Sequence, residues 1–393
     1  MIRPLLLLAL VLLAGCAGGG SGVFDGGRAP AAAGTLRGAA DSATAMPGDS
    51  ATAMPGDSAT AMPGANFACS PALQAGSASC TLAINVNVAP LADPATAVTL
   101  IPGLHPADLA RAYALPIANP GATVAIVDAY DDPAAELDLA VYRAAFGLSP
   151  CTSANGCFRK VDQRGGGTYP RPDPGWSSEI ALDLDMVSAA CPRCTIVLVE
   201  ADSALIDDLG AGVDTAASLG AAAVSDSYYA LEWAGEAGED VHFRHPGIAI
   251  TASSGDRGKP SYPAVSPLVT SVGGTSLTTA GEKPWGYGGR GCSAYVAKPA
   301  WQNGGSCASR SAVDVAAVAD PATGVAMFDG QAGGWLVAGG TSVGAPLVAA
   351  AYALGIPAGP AYSYAHRGGF HALAPGGYDN TTGLGSPSGV TGL

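Results

Sequence analysis

The chain has 393 residues, enough for one large catalytic domain or two ordinary ones. Only 13% of them are charged, and 55 Gly and 30 Pro favour a compact, loop-rich protein over a helical bundle. The 18 Lys and Arg residues against 32 Asp and Glu give a net charge of −14. Without a visible basic patch, nucleic acid is not expected as a partner. An acidic surface with few lysines suits a protein that works at low pH.

The first residues, "MIRPLLLLALVLLAGC", have the pattern of an export signal. Arg3 precedes an apolar run from Leu5 to Leu13, which is too short to span a bilayer. The run ends in a sequence that resembles the bacterial lipobox, which predicts a lipoprotein signal peptide over residues 1–15 and lipid attachment at Cys16. The alternative is an ordinary signal peptide with an unrelated cysteine. An exported lipoprotein of the bacterial cell envelope is expected, held at the outer membrane or surface with its folded domain outside the cytoplasm.

Residues 16–68 are predicted to form a low-complexity tether. The octapeptide "DSATAMPG" occurs three times in tandem, at 41–48, 49–56 and 57–64. Repeats of this composition cannot bury a core and behave as flexible linkers. A short disulfide-containing segment over 69–98 and a single catalytic domain over 99–393 are predicted to follow.

Eight cysteines remain after Cys16, an even number that predicts disulfides in an exported chain. Their sequence order suggests four local bridges: Cys69–Cys80, Cys151–Cys157, Cys191–Cys194 and Cys292–Cys307. Zinc is the alternative for the "CPRC" stretch that ends at Cys194, but it needs a second pair of ligands nearby.

From residue 121 onward, short apolar strands alternate with helices. Strands are predicted within 121–133, 194–201, 221–228, 247–258 and 269–274. Helices are predicted over 136–146, 177–192 and 203–220. Serines at the start of the helix over 177–192 are available as its N-cap. This alternation predicts an α/β fold with a mostly parallel central sheet flanked by helices. Functional loops of such sheets lie at the carboxyl ends of the strands. Asp128, Ser227 and Asp256 fall at those ends.

The stretch "AGGTSVGAP" (338–346) has the pattern of a nucleophilic serine, Ser342, at the start of a buried helix. A serine needs a base beside it, and histidine is the usual one. No histidine lies between Asp128 and Val241. His242 and His245 lie in a polar stretch before a strand, where surface residues are the more common interpretation.

Two carboxylates replace the missing histidine. Glu179 and Asp183 of "EIALD" are four residues apart and share one face of a helix. Their proximity raises the pKa of one of them, so that a glutamate could act as the base of Ser342 at acid pH, with the aspartate behind it. The alternative is an exposed acidic face, but the apolar residues around the pair predict a buried helix. Asp185 is on another face and is interpreted as structural.

Asp256 in "TASSGDRG" (251–258) is the third candidate. When protonated, it can donate a hydrogen bond to a developing oxyanion. The alternative is a loop aspartate that caps a turn.

Taken in order, these motifs resemble the sedolisin, or serine-carboxyl peptidase, family. The resemblance covers roughly 100–390 and rests on "TVAIVDAY", "EIALD", "ASSGD", "YPAVSPLVTSVGGTSL", "KPAWQ", "DVAAVADPATGV", "GGTSVGAP" and "YDNTTGLGSP". It implies a subtilisin-like fold, with Ser342 as nucleophile, Glu179 as base, Asp183 as its support and Asp256 as the oxyanion donor. Asp128 and Tyr228 would lie further out in the same network.

The chain departs from the family pattern in three places. The family carries a large N-terminal prodomain, for which residues 16–95 are too short. The family's calcium site keeps Asp379, but His371 or Ala372 stands where an upstream aspartate is expected, so Ca²⁺ is expected to bind weakly or not at all. The segment 347–370 is also short for the family.

The sequence therefore predicts a monomeric, acid-acting serine endopeptidase that is anchored to a membrane through Cys16. It is expected to act on proteins or peptides through a Ser-Glu-Asp triad and an acyl-enzyme. The alternatives are a catalytically inactive surface binding lipoprotein of the same fold and a structural surface lipoprotein.

Overall fold

The computed structural model describes residues 62–72, 74–356 and 358–393. The predicted signal peptide, Cys16 and the first two octapeptide repeats lie outside the described residues. Residues 65–67, which the sequence analysis assigned to the tether, form a strand, so the folded domain includes the end of the predicted tether. Among the described residues, no helix is long and apolar enough to cross a membrane.

The helices are few and mostly short. The α-helices are α1 (Pro106–Ala112), α2 (Ala135–Ala145), α3 (Pro174–Ala190), α4 (Ile206–Ser218), α5 (Thr341–Leu354) and α6 (Pro360–Ala365). Short 3-10 helices occupy Val98–Leu100, Ser153–Asn155, Glu236–Phe243, Pro321–Thr323 and Arg367–Gly369.

The strands are numbered in chain order. They are β1 (Ala65–Phe67), β2 (Ser79–Cys80), β3 (Ala83–Asn85), β4 (Thr123–Ala129), β5 (Phe158–Asp162), β6 (Thr195–Ala201), β7 (Ala223–Asp226), β8 (Tyr228–Leu231), β9 (Ala249–Ser253), β10 (Ser261–Tyr262), β11 (Thr270–Thr278), β12 (Gly281–Pro284), β13 (Cys292–Ala297), β14 (Ser309–Ser311), β15 (Val315–Val318), β16 (Val325–Asp329), β17 (Gly334–Gly339), β18 (Phe370–His371) and β19 (Ser386–Pro387).

The central sheet has eight strands in the order β12-β11-β9-β7-β4-β6-β5, with β15 also paired to β11. Every pairing in it is parallel except that of β12 with β11. The inner strands β9, β7, β4 and β6 are almost entirely buried because helices cover the sheet, as is usual for parallel sheets. This confirms the predicted α/β fold with a mostly parallel sheet.

Helix α3 carries two of the predicted site residues and packs against α5, which carries a third. Every residue of α3 from Trp176 to Ala190 is buried. The predicted serine cap is wrong: the helix begins earlier, at Pro174, and the Asp173 side chain accepts hydrogen bonds from the backbone N–H groups of Gly175 and Trp176. Aspartate at this position satisfies backbone donors that a helix leaves free.

The N-terminal segment is built into two small sheets of the domain. Strand β3 lies between β1 and β17, in a sheet that continues to β16. Strand β2 pairs antiparallel with β8, which also pairs with β10. The segment predicted over residues 69–98 therefore shares its backbone hydrogen bonds with strands of the domain rather than forming a unit of its own.

The structure contains the four disulfides that the sequence order suggested: Cys69–Cys80, Cys151–Cys157, Cys191–Cys194 and Cys292–Cys307. Their Cα–Cα separations of 5.6, 4.8, 5.4 and 5.4 Å are ordinary for disulfides. The "CPRC" cysteines bond to each other, which removes the support for a zinc site there.

Candidate active site

Ser342 is the second residue of α5, directly after the β17–α5 turn. Gly340 precedes the helix with φ 94°, a conformation that L residues other than glycine rarely adopt. A side chain would not fit there either, because a Cβ on Gly340 would lie 1.7 Å from the Thr81 carbonyl oxygen. The glycine thus lets another part of the chain approach the start of α5. Ser342 is fully buried.

Glu179 of α3 lies against the same part of the chain. Its Oε2 accepts hydrogen bonds from the backbone N–H groups of Thr81 at 3.0 Å and Leu82 at 2.9 Å. Its Oε1 has no hydrogen-bond partner among the described residues. Burial raises the pKa of Glu179 well above the usual value, and the nearby charge of Asp128 raises it further, while the neighbouring Ser342 hydroxyl and the Leu82 N–H lower it. A carboxyl that holds its proton to higher pH is suited to exchange it with the serine at acid pH.

Asp183, one helical turn after Glu179, is also fully buried. Ser227, just after β7, donates from Oγ to Asp183 Oδ1 at 2.8 Å. Burial is the main cause of the raised pKa of Asp183, and the charges of Asp128 and Glu179 add to it. These carboxyls must therefore share protons and titrate together.

Asp128 and Tyr228 lie behind this pair, as expected from the resemblance. Both are fully buried, and neither carboxyl oxygen of Asp128 has a hydrogen-bond partner among the described residues. Burial raises the pKa of Asp128 to about 8. Tyr228 lies near Asp226, which is a further buried carboxyl close to Asp128 and Asp183.

Asp256 lies at the other side of Ser342. Its Oδ1 accepts hydrogen bonds from the Thr341 backbone N–H at 2.9 Å and from Thr341 Oγ1 at 2.8 Å. Its Oδ2 has no hydrogen-bond partner among the described residues and lies 2.8 Å from the point that a Cβ on Gly340 would occupy. Burial raises the pKa of Asp256 to about 7. At acid pH the group is neutral, so Oδ2 can carry a proton for donation.

The structure brings together the four side chains that the sequence singled out for catalysis: Ser342, Glu179, Asp183 and Asp256. Thr81 is a further member that the sequence analysis missed. Its Oγ1 lies 2.5 Å from Ser342 Oγ and donates to Ser253 Oγ at 3.0 Å. No motif singles out this threonine, because its contacts are with residues more than 90 positions away in the chain.

Two histidines form a separate cluster: His242 lies in the 3-10 helix Glu236–Phe243, and His245 follows that helix. His242 Nδ1 lies 2.6 Å from Asp214 Oδ2, and His245 Nε2 lies 2.8 Å from Asp214 Oδ1. Asp207, Glu239 and His242 are arranged so that they could hold a metal ion. Among the described residues, both histidines hydrogen-bond to Asp214 and neither hydrogen-bonds to Ser342.

The residues at Asp379 do not fit the calcium site that the resemblance implies. Asp379 is the sole carboxylate side chain between residues 370 and 393. Its Oδ1 accepts hydrogen bonds from the Thr381 N–H at 2.8 Å, the Thr382 N–H at 2.6 Å and Thr382 Oγ1 at 3.0 Å. Ca²⁺ takes six to eight oxygens, whereas this carboxylate stabilises a turn.

Comparison with known proteins gives one curated relative and several solved structures of similar fold. Kumamolisin from Bacillus sp. (strain MN-32) is 29% identical over 354 residues, which cover 72% of this chain and 62% of kumamolisin. The chain thus spans about three-fifths of the length of the curated relative that it matches. No family model matches the chain.

Among solved structures, Pseudomonas sedolisin, a serine-carboxyl proteinase complexed with two molecules of pseudo-iodotyrostatin, matches with a TM-score of 0.63 and 23% identity. The match covers 73% of this chain and 96% of that one. A lanthipeptide protease matches with a TM-score of 0.51 and 14% identity, over 72% of this chain and 90% of that one.

The parallel sheet and the buried serine beside several carboxyls define the class: a subtilisin-like α/β domain with a serine-carboxyl site. The sequence relative and the ordered motifs point in the same direction. The chain is similar to proteins of the sedolisin, or serine-carboxyl peptidase, family.

Proposed function

We propose that the protein is an acid-acting serine endopeptidase that hydrolyses peptide bonds through an acyl-enzyme. The observation that carries the proposal is the position of Glu179 Oε2, which lies 2.9 and 3.0 Å from two successive peptide nitrogens beside Ser342. A carboxyl in that place can take the proton of the serine and deliver it to the nitrogen of a peptide bond.

In the proposed mechanism, Ser342 Oγ attacks the substrate carbonyl carbon as Glu179 takes its proton. Asp183 supports Glu179 by sharing a proton within the coupled pair. Asp256 donates from its free oxygen to the developing oxyanion, and the N-terminus of α5 favours the same negative charge. Glu179 then protonates the leaving amine, and water hydrolyses the remaining ester through the same groups in reverse.

The proposal extends to the place of the protein in the cell. The export signal, the lipobox-like sequence at Cys16 and the acidic composition support a lipid-anchored envelope protein whose domain acts on proteins or peptides outside the cytoplasm. We also propose that the protein acts as a monomer.

The test is hydrolysis of denatured casein by the purified full-length chain at about pH 4. Ser342→Ala should abolish hydrolysis, because no other group replaces the nucleophile. Ser225→Ala is the matched control: Ser225 is also a buried serine, but its hydroxyl has no hydrogen-bond partner among the described residues, so hydrolysis should remain. A folded wild-type chain without activity between pH 3 and 5 would favour the binding lipoprotein instead.

A further inference from the structure

A second cluster of metal-ligating side chains lies where α4 packs against the 3-10 helix Glu236–Phe243. Asp207, Glu239 and His242 each offer one ligand atom, and the three atoms lie within 4.8 Å of one another. An imidazole nitrogen with carboxylate oxygens is a donor set that Zn²⁺ and similar divalent transition metals take in proteins. It differs from the donor set of a calcium site, which is built from oxygens alone.

The spacing of these residues along the two helices brings the donors to one place. Glu239 and His242 are three residues apart, and side chains at that spacing in a 3-10 helix lie directly above one another. On α4, Asp207, Gly210 and Asp214 have the spacing i, i+3 and i+7, which places them on one face of the helix. That face of α4 meets the side of the 3-10 helix that carries His242.

Gly210 makes room for the His242 ring. A Cβ on Gly210 would lie 2.6 Å from both Cγ and Cδ2 of His242, which is well inside the contact distance of two carbon atoms. With glycine there, the ring reaches Asp207, and its Nε2 lies 3.5 Å from Asp207 Oδ1. Metal bonds of about 2.0–2.1 Å in a tetrahedral site separate two ligand atoms by about 3.3 Å. These two atoms therefore already have the spacing that a shared ion requires.

Asp214 lies behind His242 and holds its other nitrogen. His242 Nδ1 lies 2.6 Å from Asp214 Oδ2, so that an Nδ1–H can donate to this carboxylate while the Nε2 lone pair is directed to Asp207. A carboxylate in this position is the usual outer partner of a metal-binding histidine, because it fixes the tautomer and the ring orientation. Asp214 Oδ1 in turn lies 2.8 Å from His245 Nε2, which restrains the carboxylate itself.

The cluster lies across the central sheet from the carboxyls of the candidate active site. A Cβ on Gly212 of α4 would lie 2.7 Å from Val127 Cγ1, so α4 covers the face of β4 to which Val127 points. Asp128 is the next residue and points to the opposite face, where its charge acts on Glu179 and Asp183. An ion in the cluster would therefore act on the packing of α4 and not on the groups around the serine.

We propose that Asp207, Glu239 and His242 bind one divalent transition-metal ion of the Zn²⁺ type, with Asp214 as the positioning residue behind His242. Three protein ligands leave the fourth tetrahedral position to water. Asp207 approaches the ion from α4, and the other two ligands approach it from the 3-10 helix, so the ion joins the two elements. Because these donors come together only in the folded chain, binding stabilises the folded state. The inference does not depend on the proposed peptidase activity.

The test is calorimetric titration of the full-length chain, without a polyhistidine tag, with ZnCl2 at about pH 7.5, because metals bind the deprotonated forms of these ligands. Wild-type protein should bind one Zn²⁺ per chain, and excess CaCl2 should not displace it. Asp207→Ala and His242→Ala should each weaken binding by about 100-fold or more, since loss of an outer partner alone costs about 10- to 100-fold. The Asp207 side chain is 85% exposed, so its removal leaves the packing of α4 intact.

The matched control is His366→Ala, which removes an exposed histidine that stacks on Tyr362 and should leave the affinity for Zn²⁺ unchanged. Asp214→Ala should weaken binding by about 10- to 100-fold. Asp214→Asn should lose less, because it keeps an oxygen that can accept from His242 Nδ1. Saturating ZnCl2 should raise Tm of the wild-type and His366→Ala chains but not of His242→Ala, whose Tm without metal shows whether it is folded.

Three results would overturn the metal site. They are the lack of a one-to-one complex with wild-type protein, equal Zn²⁺ affinity in wild-type, Asp207→Ala and His242→Ala chains, and displacement of the ion by CaCl2. The cluster would then be an ordinary set of histidine–aspartate ion pairs. Because the readouts are binding and Tm, failure of the metal site leaves the proposed peptidase activity standing, and an inactive chain that binds Zn²⁺ in the predicted way confirms the site.

Discussion

Ser227 Oγ donates a hydrogen bond to Asp183 Oδ1 over 2.8 Å and so fixes one oxygen of the carboxyl that lies one helical turn from Glu179. Burial raises the pKa of Asp183, and this hydrogen bond opposes the rise by favouring the ionised form. Ser227 therefore affects both the orientation of Asp183 and the pH at which the carboxyl pair loses its protons.

Ser227→Ala should lower kcat on peptide substrates by roughly tenfold, which is the effect of about 1.4 kcal/mol in transition-state stabilisation. KM should change little, because the hydroxyl of Ser227 contacts Asp183 and, at 3.5 Å, the backbone carbonyl oxygen of Ser342, neither of which is expected to bind the substrate. The pKa of Asp183 should rise, so the alkaline limb of the pH–rate profile should move upward. The measurement is kcat and KM of each variant across pH.

Ser225→Ala is the matched control for this variant. Ser225 lies two residues earlier, at the same end of the sheet, and its hydroxyl has no hydrogen-bond partner among the described residues. Its pH–rate profile should match that of the wild type. An equal shift in both variants would show that the effect comes from packing and would remove Ser227 from the network.

The pH dependence of activity should follow Asp256. Its pKa is raised by burial to about 7, so kcat should fall as pH rises through that value and the donor becomes an anion. Asp256→Ala should lower kcat at about pH 4 by about 100- to 1000-fold, as expected for loss of one oxyanion donor.

Asp256→Asn separates the two roles of this side chain. An amide keeps an acceptor for Thr341 and still offers a neutral donor, so the loss of kcat should be smaller than in the Ala variant. Because the amide does not ionise, the fall near pH 7 should be absent and only the titration of the Glu179–Asp183 pair should remain. The same fall near pH 7 in Asp256→Asn would assign that limb to another group.

The sequence was sufficient to predict the sheet, the four disulfide pairings and the residues that gather at the site. Strand patterns, cysteine order and the i, i+4 spacing of Glu179 and Asp183 are local signals, and the family motifs place them in order. The role of Thr81 could not be predicted, because it depends on Glu179 and Ser342, at distances of 98 and 261 residues along the chain. The cap at Asp173 was missed for another reason: the nearby serines are equally good caps, and only the chain geometry selects the aspartate.

The buried carboxyls also predict how stability depends on pH. Burial raises the pKa of Asp128 from 3.8 to about 8 and that of Asp256 from 3.8 to about 7. Between the unfolded and folded pKa values, the folded protein holds more protons than the unfolded chain, so the free energy of unfolding falls as pH rises. The stability from these groups is full below about pH 4 and is lost progressively up to about pH 8.

Thermal unfolding of the Ser342→Ala chain, which avoids self-digestion, measures this trend. Tm should be highest in acid and should fall as the pH is raised toward 8. Adding Asp128→Asn should reduce the fall, because one buried ionisation is removed. Asp93→Asn is the control, since Asp93 is exposed and its removal should leave the slope unchanged. A Tm that rises toward neutral pH would contradict the buried-carboxyl account.

Residues 79–85, which we call the cleft segment, pair with β8 and β17 beside Ser342. The Cys69–Cys80 disulfide should control how firmly this segment stays in place. It closes a loop with a sequence separation of 11 that ends directly before Thr81. Closing a loop of this size removes conformational entropy from the chain once it leaves the cleft, an effect of roughly 3 kcal/mol in free energy. In a Ser342→Ala chain, which does not hydrolyse the peptide, Cys69→Ser with Cys80→Ser should therefore make the cleft open more often. Binding of a fluorescent peptide should strengthen by at most about 100-fold.

Cys151→Ser with Cys157→Ser in the same background is the matched control. That disulfide joins the 3-10 helix at Ser153–Asn155 to the start of β5, away from the cleft segment. Its removal should lower Tm without strengthening peptide binding. Equal gains in peptide binding in the two variants would mean that general loosening of the domain opens the cleft. No gain in either would mean that the pairings of β2 with β8 and of β3 with β17 hold the segment without help from the disulfide.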